Sequence, residues 1–399
     1  MKNFLLFFST FAVLALSATE PATVADAFSQ GRLSLNARLR FEHVDQIGAL
    51  DANAFTLRTR LGFTTARFHG WQAMLEGENV FAFDKNAYNQ SGLNPAAGSR
   101  AVVGDPETTE INQLWLAYTL GQISGTLGRQ RLVLDNARFV GDVGWRQNQQ
   151  TFDAVVLQSK SLADTTLTYA YLDQINRVFS RRHVQGRWES DSHLIHAHYT
   201  GFDVGVIRAY AYLLDFDNAA TSSSATYGAS LNGTPPLNDT VKLSYRVELA
   251  WQNDHGNNPQ DYSTHYALIE AGPRWKSFGI ALGHERLGSD NAVGFKTPLA
   301  TLHAHNGWAD LFLNTPTDGL RDTYVKAEAS LPEGVALVAF YHWFEANRGA
   351  AHYGEEFDLQ LSRKLGKAFT ATAKFAGFRR DSPAFVNARK IWFQLEYVY

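Results

Sequence analysis

Two His-x-His pairs, His196-Ala197-His198 and His303-Ala304-His305, are the first residues in the chain whose spacing suggests chemistry. In an extended chain each pair puts both imidazoles on one face, where they could hold a metal or move a proton. Neither pair has a matching carboxylate at a readable spacing, so polar histidines with ordinary partners are the simpler reading. There is no Gly-x-Ser-x-Gly elbow, no His-Glu-x-x-His and no glycine-rich phosphate loop. The absence of cysteine excludes a disulfide framework, Cys-ligated zinc, iron–sulfur clusters and thiol catalysis. A carboxylate pair for glycoside hydrolysis depends on pairing in space, which the linear order leaves open. The arginines say more. Arg32, Arg38, Arg40, Arg58 and Arg60 crowd near the N-terminus, and the planar guanidinium fork suits carboxylates and phosphates.

What those arginines can meet depends on the elements that carry them. Gly31–Val44 reads GRLSLNARLRFEHV, with Leu33, Leu35, Ala37, Leu39 and Phe41 on one face and Arg32, Ser34, Asn36, Arg38, Arg40 and Glu42 on the other. Phe55–Ala66 repeats the design, setting Phe55, Leu57, Leu61 and Phe63 against Arg58 and Arg60. In 240–253, Val241, Leu243, Tyr245, Val247, Leu249 and Trp251 alternate with Lys242, Ser244, Arg246, Glu248, Ala250 and Gln252. The chain ends on Ile391, Phe393, Leu395, Tyr397 and Tyr399 in the same rhythm. This is the period of a strand with one apolar and one polar face.

Alternation alone fits a soluble sheet or a membrane barrel; three features favour the barrel. The strands run to about 10–12 residues, the length a tilted membrane strand needs. Their apolar faces are tipped with aromatics, which make up 13% of the chain. Connections also alternate short with long. The turns at 67–70, 121–122, 201–203, 276–277, 332–334 and 366–367 are tight, whereas 82–110 is a long polar loop. That asymmetry predicts a single closed antiparallel barrel of about 18 strands, with short periplasmic turns and long extracellular loops. The least regular strand is 223–232, which the parity of the barrel requires.

The first residues read as an address. One Lys precedes an apolar run over Phe4–Leu16, about 13 residues against the about 20 that would span a bilayer. This predicts a signal peptide, with cleavage after Ser17 or, as we prefer, after Ala27. Residues 1–27 are then the signal and 28–399 one barrel, exported to the bacterial outer membrane. The 36 basic and 39 acidic residues leave a net charge of −3 and no bulk reason to bind nucleic acid.

Parity assigns the lumen. Arg32, Arg38, Arg40, Arg58, Arg60, Lys242, Arg246, Arg274, Lys326, Lys364 and Lys374 point inward, with Glu42, Glu76, Glu78, Glu248, Glu270, Glu328, Glu356, Asp358 and Glu396. The signs nearly balance, but the arginines concentrate on the first two strands. They form either an anion-guiding wall or braces paired with Glu42, Glu76 and Glu78.

Two stretches resemble a known family. Gly128–Trp145 reads GRQRLVLDNARFVGDVGW, and Leu282–Val325 contains GFKTPLATLHAHNGWADLFL followed by GLRD. Both are similar to segments of the alginate export family of bacterial outer-membrane porins. The resemblance implies an 18-stranded barrel with an arginine-lined pore for a polyanion. It adds Arg129 and Arg131, with Arg138 and Arg146 beyond, to the pore residues. It also points to Lys296, His303, Trp308, Asp310, Arg321 and Asp322 in a loop folding toward the pore mouth or interior. Alternatively that loop packs on itself, with Trp308, Leu311 and Phe312 as a small core and Asp310 paired to Arg321.

The expected function is passive, selective diffusion of anionic solutes, without a nucleotide or metal cofactor. Partners would be outer-membrane lipid and lipopolysaccharide, an anionic oligo- or polysaccharide or small carboxylate, and periplasmic export proteins. The alternatives are a barrel enzyme working on lipid or polysaccharide through His303 and His305, and a plugged structural or adhesion barrel.

Overall fold

The computed structural model describes residues 20–399. After a short helix α1 (Val24–Ser29), the chain runs through β1 (Arg32–Gln46), β2 (Ala52–Thr64), β3 (Trp71–Ala82), β4 (Thr108–Leu120), β5 (Ile123–Gln130) and β6 (Thr151–Ser159). There follow β7 (Thr165–Asn176), β8 (Arg187–Phe202), β9 (Gly205–Leu214), β10 (Ser224–Gly233), β11 (Lys242–Asn253), β12 (Ser263–Arg274) and β13 (Phe278–Leu287). A small hairpin, β14 (Ser289–Asp290) and β15 (Val293–Gly294), decorates the next loop. The wall ends with β16 (Leu320–Ser330), β17 (Val335–Glu345), β18 (His352–Leu365), β19 (Phe369–Arg380) and β20 (Ala388–Val398).

Eighteen of these strands form one antiparallel sheet in which β1 pairs with both β2 and β20, so the sheet closes on itself. Closure leaves no unpaired edge for lipid to meet. The irregular stretch at 223–232 is β10, held on both sides by β9 and β11.

Burial follows parity. On β11, Glu248, Ala250 and Gln252 are buried while Leu249 and Trp251 are 53% and 61% exposed. Outward aromatics gather at both strand ends. Trp71, Trp275, Phe278 and Phe369 flank the periplasmic turns; Phe55, Phe81, Trp251 and Trp343 lie toward the other end. Several strands extend beyond their predicted ends, because ladders continue above the lipid wherever outward polar side chains pair. Asp45–Arg389, Glu345–Arg321 and Glu355–Arg379 are such pairs.

The signal-peptide cut after Ser17 lies outside the described residues. The preferred cut, after Ala27, falls within α1, whose Thr23 and Asp26 form a capping box. Ala27 is buried, its carbonyl accepts the Ala66 N–H, and Phe28 stacks on Phe63.

Candidate functional site

The lumen is not an open pipe. Two long loops on the outer side, 131–150 and 288–319, fold into it, and the first contains one of the family-like stretches. Gln147, Asn148, Gln149 and Gln150 are all buried. A loop inside a barrel carries carbonyls that no ladder satisfies, and these need donors. The wall arginines supply them. Arg38 donates to the Gly144 and Trp145 carbonyls at 3.0 and 3.1 Å, Arg40 to Trp145 O at 2.6 Å, and Arg60 to Gln147 O at 3.3 Å. The wall arginines also pair with carboxylates: Arg38 and Arg58 with Glu396, Arg40 with Asp105, Arg60 with Glu78. These four arginines therefore face inward as parity requires, but they are between 1% and 8% exposed; Arg38, Arg40 and Arg60 brace the first loop, and Arg58 is tied to Asn36 and Glu396 within the wall. Of the braces expected from sequence, Arg60–Glu78 forms. Glu42 instead takes Arg146, and Glu76 takes the amides of Asn112 and Gln113.

Both loops meet at Asp310. Its carboxylate accepts His303 Nδ1 at 2.7 Å, Lys390 Nζ at 2.8 Å and Arg146 Nη2 at 2.9 Å, joining loop to loop and both to β20. Burial by itself would raise the Asp310 carboxyl, but His303, Lys390 and Arg146 outweigh it and hold the group well below the usual carboxylate range. Burial drives His303 far below its ordinary value. The hydrogen bonds assign its neutral tautomer, with Nδ1–H donating to Asp310 while Nε2 accepts from Lys374 at 2.7 Å. The expected Asp310–Arg321 pair does not form. Arg321 lies on the outward face of β16 and pairs with Glu345, because Asp322 takes the inward position and receives His342 Nδ1 at 2.8 Å.

Lys374 is boxed by tryptophans. Its Nζ sits 3.5 Å from the Trp308 ring centre and 4.2 Å from that of Trp145, with Trp392 beyond. Trp145 also stacks on His303, the ring centres 4.6 Å apart. Trp308 and Phe312 are buried as the packing reading expects, but against the wall: Trp308 meets Phe340, and Phe312 meets Phe344 and Phe378. The backbone N–H groups of Trp308 and Ala309 donate to Asp358 and Glu356. Elsewhere Arg138 binds Glu285 at 2.8 Å, and Lys296 reaches Gln260 at 2.7 Å and Thr221, tying three outer loops together.

Other expected residues lie apart from these braces. Arg129 shares the outward face of Leu127 and is held by Asp153 at 2.6 Å, so it does not line the lumen. Arg131 is half-exposed and paired to Asp142 at 2.5 Å. Nearer the periplasmic turns the lumen carries Arg246, with Asp135 and Glu248; Arg274 and Lys326, which share Glu328; and Lys242, which faces Arg274 across the ladder. Arg208 joins them on β9, unforeseen because its inward neighbours Tyr210 and Tyr212 stand against outward alanines, which blurs the alternation. Lys390 was hidden by Arg389 beside it, and Asp105 and Asp135 by lying in loops. His303 and His305 are separated by a tight turn rather than extended. His303 does have a carboxylate, Asp310, within reach; among the described residues no hydroxyl is hydrogen-bonded to the pair. Among the described residues no cluster of His, Cys, Asp and Glu could hold a metal.

A closed eighteen-stranded wall with apolar outside, charged inside and loops folded into the bore defines an outer-membrane β-barrel channel. Residues 29–368 match the alginate export family model, and the chain belongs to that family. No curated protein matches the sequence. Among solved structures it is similar to OccAB3 of Acinetobacter baumannii (TM-score 0.74, 13% identity, covering 93% of this chain and 99% of that one). It is likewise similar to OpdK of Pseudomonas aeruginosa with vanillate (0.75, 13%, 93% and 99%) and to OccK9 (OpdG) of the same organism (0.74, 15%, 94% and 100%). At these identities the likeness is one of fold.

Proposed function

We propose that this protein is a passive outer-membrane channel selective for anionic, carboxylate-bearing solutes. The observation that carries the reading is the inner wall toward the periplasm. There Lys242 faces Arg274 directly, with Arg208, Arg246 and Lys326 on the same inward surface. Like charges opposite each other in a ladder repel, an arrangement that favours a passing anion between them. The two inward loops narrow the bore, which supports small carboxylates over bulky ones. Vanillate, named with one of the neighbours, is such a molecule. A polyuronate is the second reading, favoured by the family match, and requires the loops to move aside during passage. Diffusion down a gradient requires no cofactor and no catalytic group. The chain reaches the outer membrane through a cleaved signal, and lipid and lipopolysaccharide surround it there.

The test is the reversal potential of the purified barrel in a planar bilayer under a potassium chloride gradient. We expect anions to permeate better than cations. A cation-selective channel refutes the reading.

A further inference from the structure

Asp135 stands at the inner tip of the 131–150 loop with φ of 54°, and Ala137 has φ of 61°. The tip carries the Asp135 carboxylate to strands β9 and β11, where it takes Arg208 Nε at 3.1 Å and Arg246 Nη2 at 2.5 Å. The three side chains keep between 12% and 14% of their surface open. Arg246 has a second carboxylate, Glu248, at 2.7 Å. Arg208 has, besides Asp135, the side-chain oxygen of Asn232.

The surroundings of Arg208 are unusual. In the strand register it lies between His198 of β8 and Ser230 of β10, and His196 is the next inward residue of β8. His196 Nε2, His198 Nε2 and Ser230 Oγ are buried and have no hydrogen-bond partner among the described residues. Buried polar atoms are ordinarily paired, and these three, on neighbouring strands beside one guanidinium, leave hydrogen-bonding capacity that a polar solute could take up.

We propose that Arg208, Arg246, His196, His198 and Ser230 form a carboxylate subsite, and that Asp135 is its built-in occupant, a tethered competitor that a solute carboxylate displaces. The proposal rests on the anion-channel reading and deepens it. With Asp135 in place, two guanidinium groups face two carboxylates and the site is neutral. With Asp135 displaced, one positive charge turns to the lumen. The guanidinium of Arg208 then receives the solute carboxylate, while the imidazoles and the Ser230 hydroxyl reach hydroxyl groups beside it. A tethered competitor keeps such a site weak, since the second carboxylate is always present at high local concentration. Weak binding suits conduction, where a solute must enter the site and also leave it.

The test measures block of chloride current through the full barrel by gluconate, which carries hydroxyls, and by butyrate, which does not. In Asp135→Asn the half-blocking gluconate concentration should fall about tenfold, the worth of one charge-assisted contact. Adding Arg208→Gln should abolish that gain, and adding Ser230→Ala should reduce it for gluconate but not for butyrate. Unchanged block in Asp135→Asn, with anion selectivity intact, overturns the proposal and leaves Asp135 a brace. Cation selectivity of the unaltered channel overturns the transport reading instead. If Asp135→Asn alters the chloride conductance itself, calorimetric binding of gluconate to the detergent-purified variant decides: affinity equal to the unaltered protein's refutes the subsite.

Discussion

Asp310→Ala should release the inward loops. The substitution removes one carboxylate that receives His303, Lys390 and Arg146 at 2.7–2.9 Å. Arg146 loses least, because Glu42 still holds it at 3.2 Å. Lys390 loses most: it is 7% exposed, and Asp310 is its ion-pair partner among the described residues. An unpaired buried charge costs about 3–5 kcal/mol, and the abandoned His303 N–H adds about 1 kcal/mol. Water entering the lumen recovers part of this, so about 3 kcal/mol of loop docking is a fair lower figure. At 1.4 kcal/mol per tenfold, the ratio of docked to undocked loop falls about a hundredfold. Single-channel recording should then show larger conductance with frequent transitions, and a protease added from the outer side should cut within 288–319. Asp310→Asn, which keeps acceptor oxygen but no charge, should fall between. Pairing it with Lys390→Met should recover most of the docking, since the orphaned charge goes as well. An Asp310→Ala channel with native conductance and a loop as resistant as before would refute the latch.

Arg274→Gln should lower the anion-to-cation permeability ratio without unfolding the barrel, because Glu328 keeps Lys326 at 3.0 Å; reversal potentials read the ratio. From pH 8 to pH 5 conductance should stay constant, since the depressed Asp310 carboxyl remains ionised and its latch is lost only as pH falls through that lowered value. Thermal stability should nevertheless decline over part of that range. Burial pushes His305 down to about 3, so below about pH 6.5 the unfolded chain binds a proton that the folded chain refuses. Burial likewise pushes Lys296 down to about 8, and its acylation by an amine-specific reagent, followed by mass spectrometry, should rise steeply around that pH, below the pH at which ordinary lysines react. The mature chain should begin at Ala18, because cleavage after Ala27 would sever the capped helix α1; N-terminal sequencing checks this.

The wall was legible because lipid on one side and the lumen on the other impose a period of two that any strand must obey. Leu249 beside Glu248, or Phe41 beside Arg40, states its own direction. Where the contrast weakens, so does the reading. Arg208 sits among tyrosines and alanines, and Arg389–Lys390 are two charges in succession. The loops are a different matter. Asp105, Asp135 and Asp310 obey no period, and their partners lie on strands far away in sequence. The packing alternative paired Asp310 with Arg321, but β16 begins at Leu320 and its register turns Arg321 outward to Glu345.

The arginines of β1 and β2 tie these observations together. An arginine-rich hairpin suggests a wall for anions, but Arg38, Arg40 and Arg60 give donors to the carbonyls of Gly144, Trp145 and Gln147. A loop cannot be packed inside a barrel on apolar contacts alone, since its irregular backbone would leave acceptors dry. Positive charge on this side therefore holds the first loop, which in turn sets Trp145 and Arg146 against the second. On the opposite wall Lys242 faces Arg274, and Arg274 and Lys326 share the one carboxylate of Glu328. On the proposed function, selectivity and aperture would reside on different strands, and a substitution should change one without the other. Arg40→Gln should widen the channel while keeping its preferred sign of ion; Arg274→Gln should do the reverse. If Arg40→Gln instead abolishes anion preference at unchanged conductance, this division of labour is wrong.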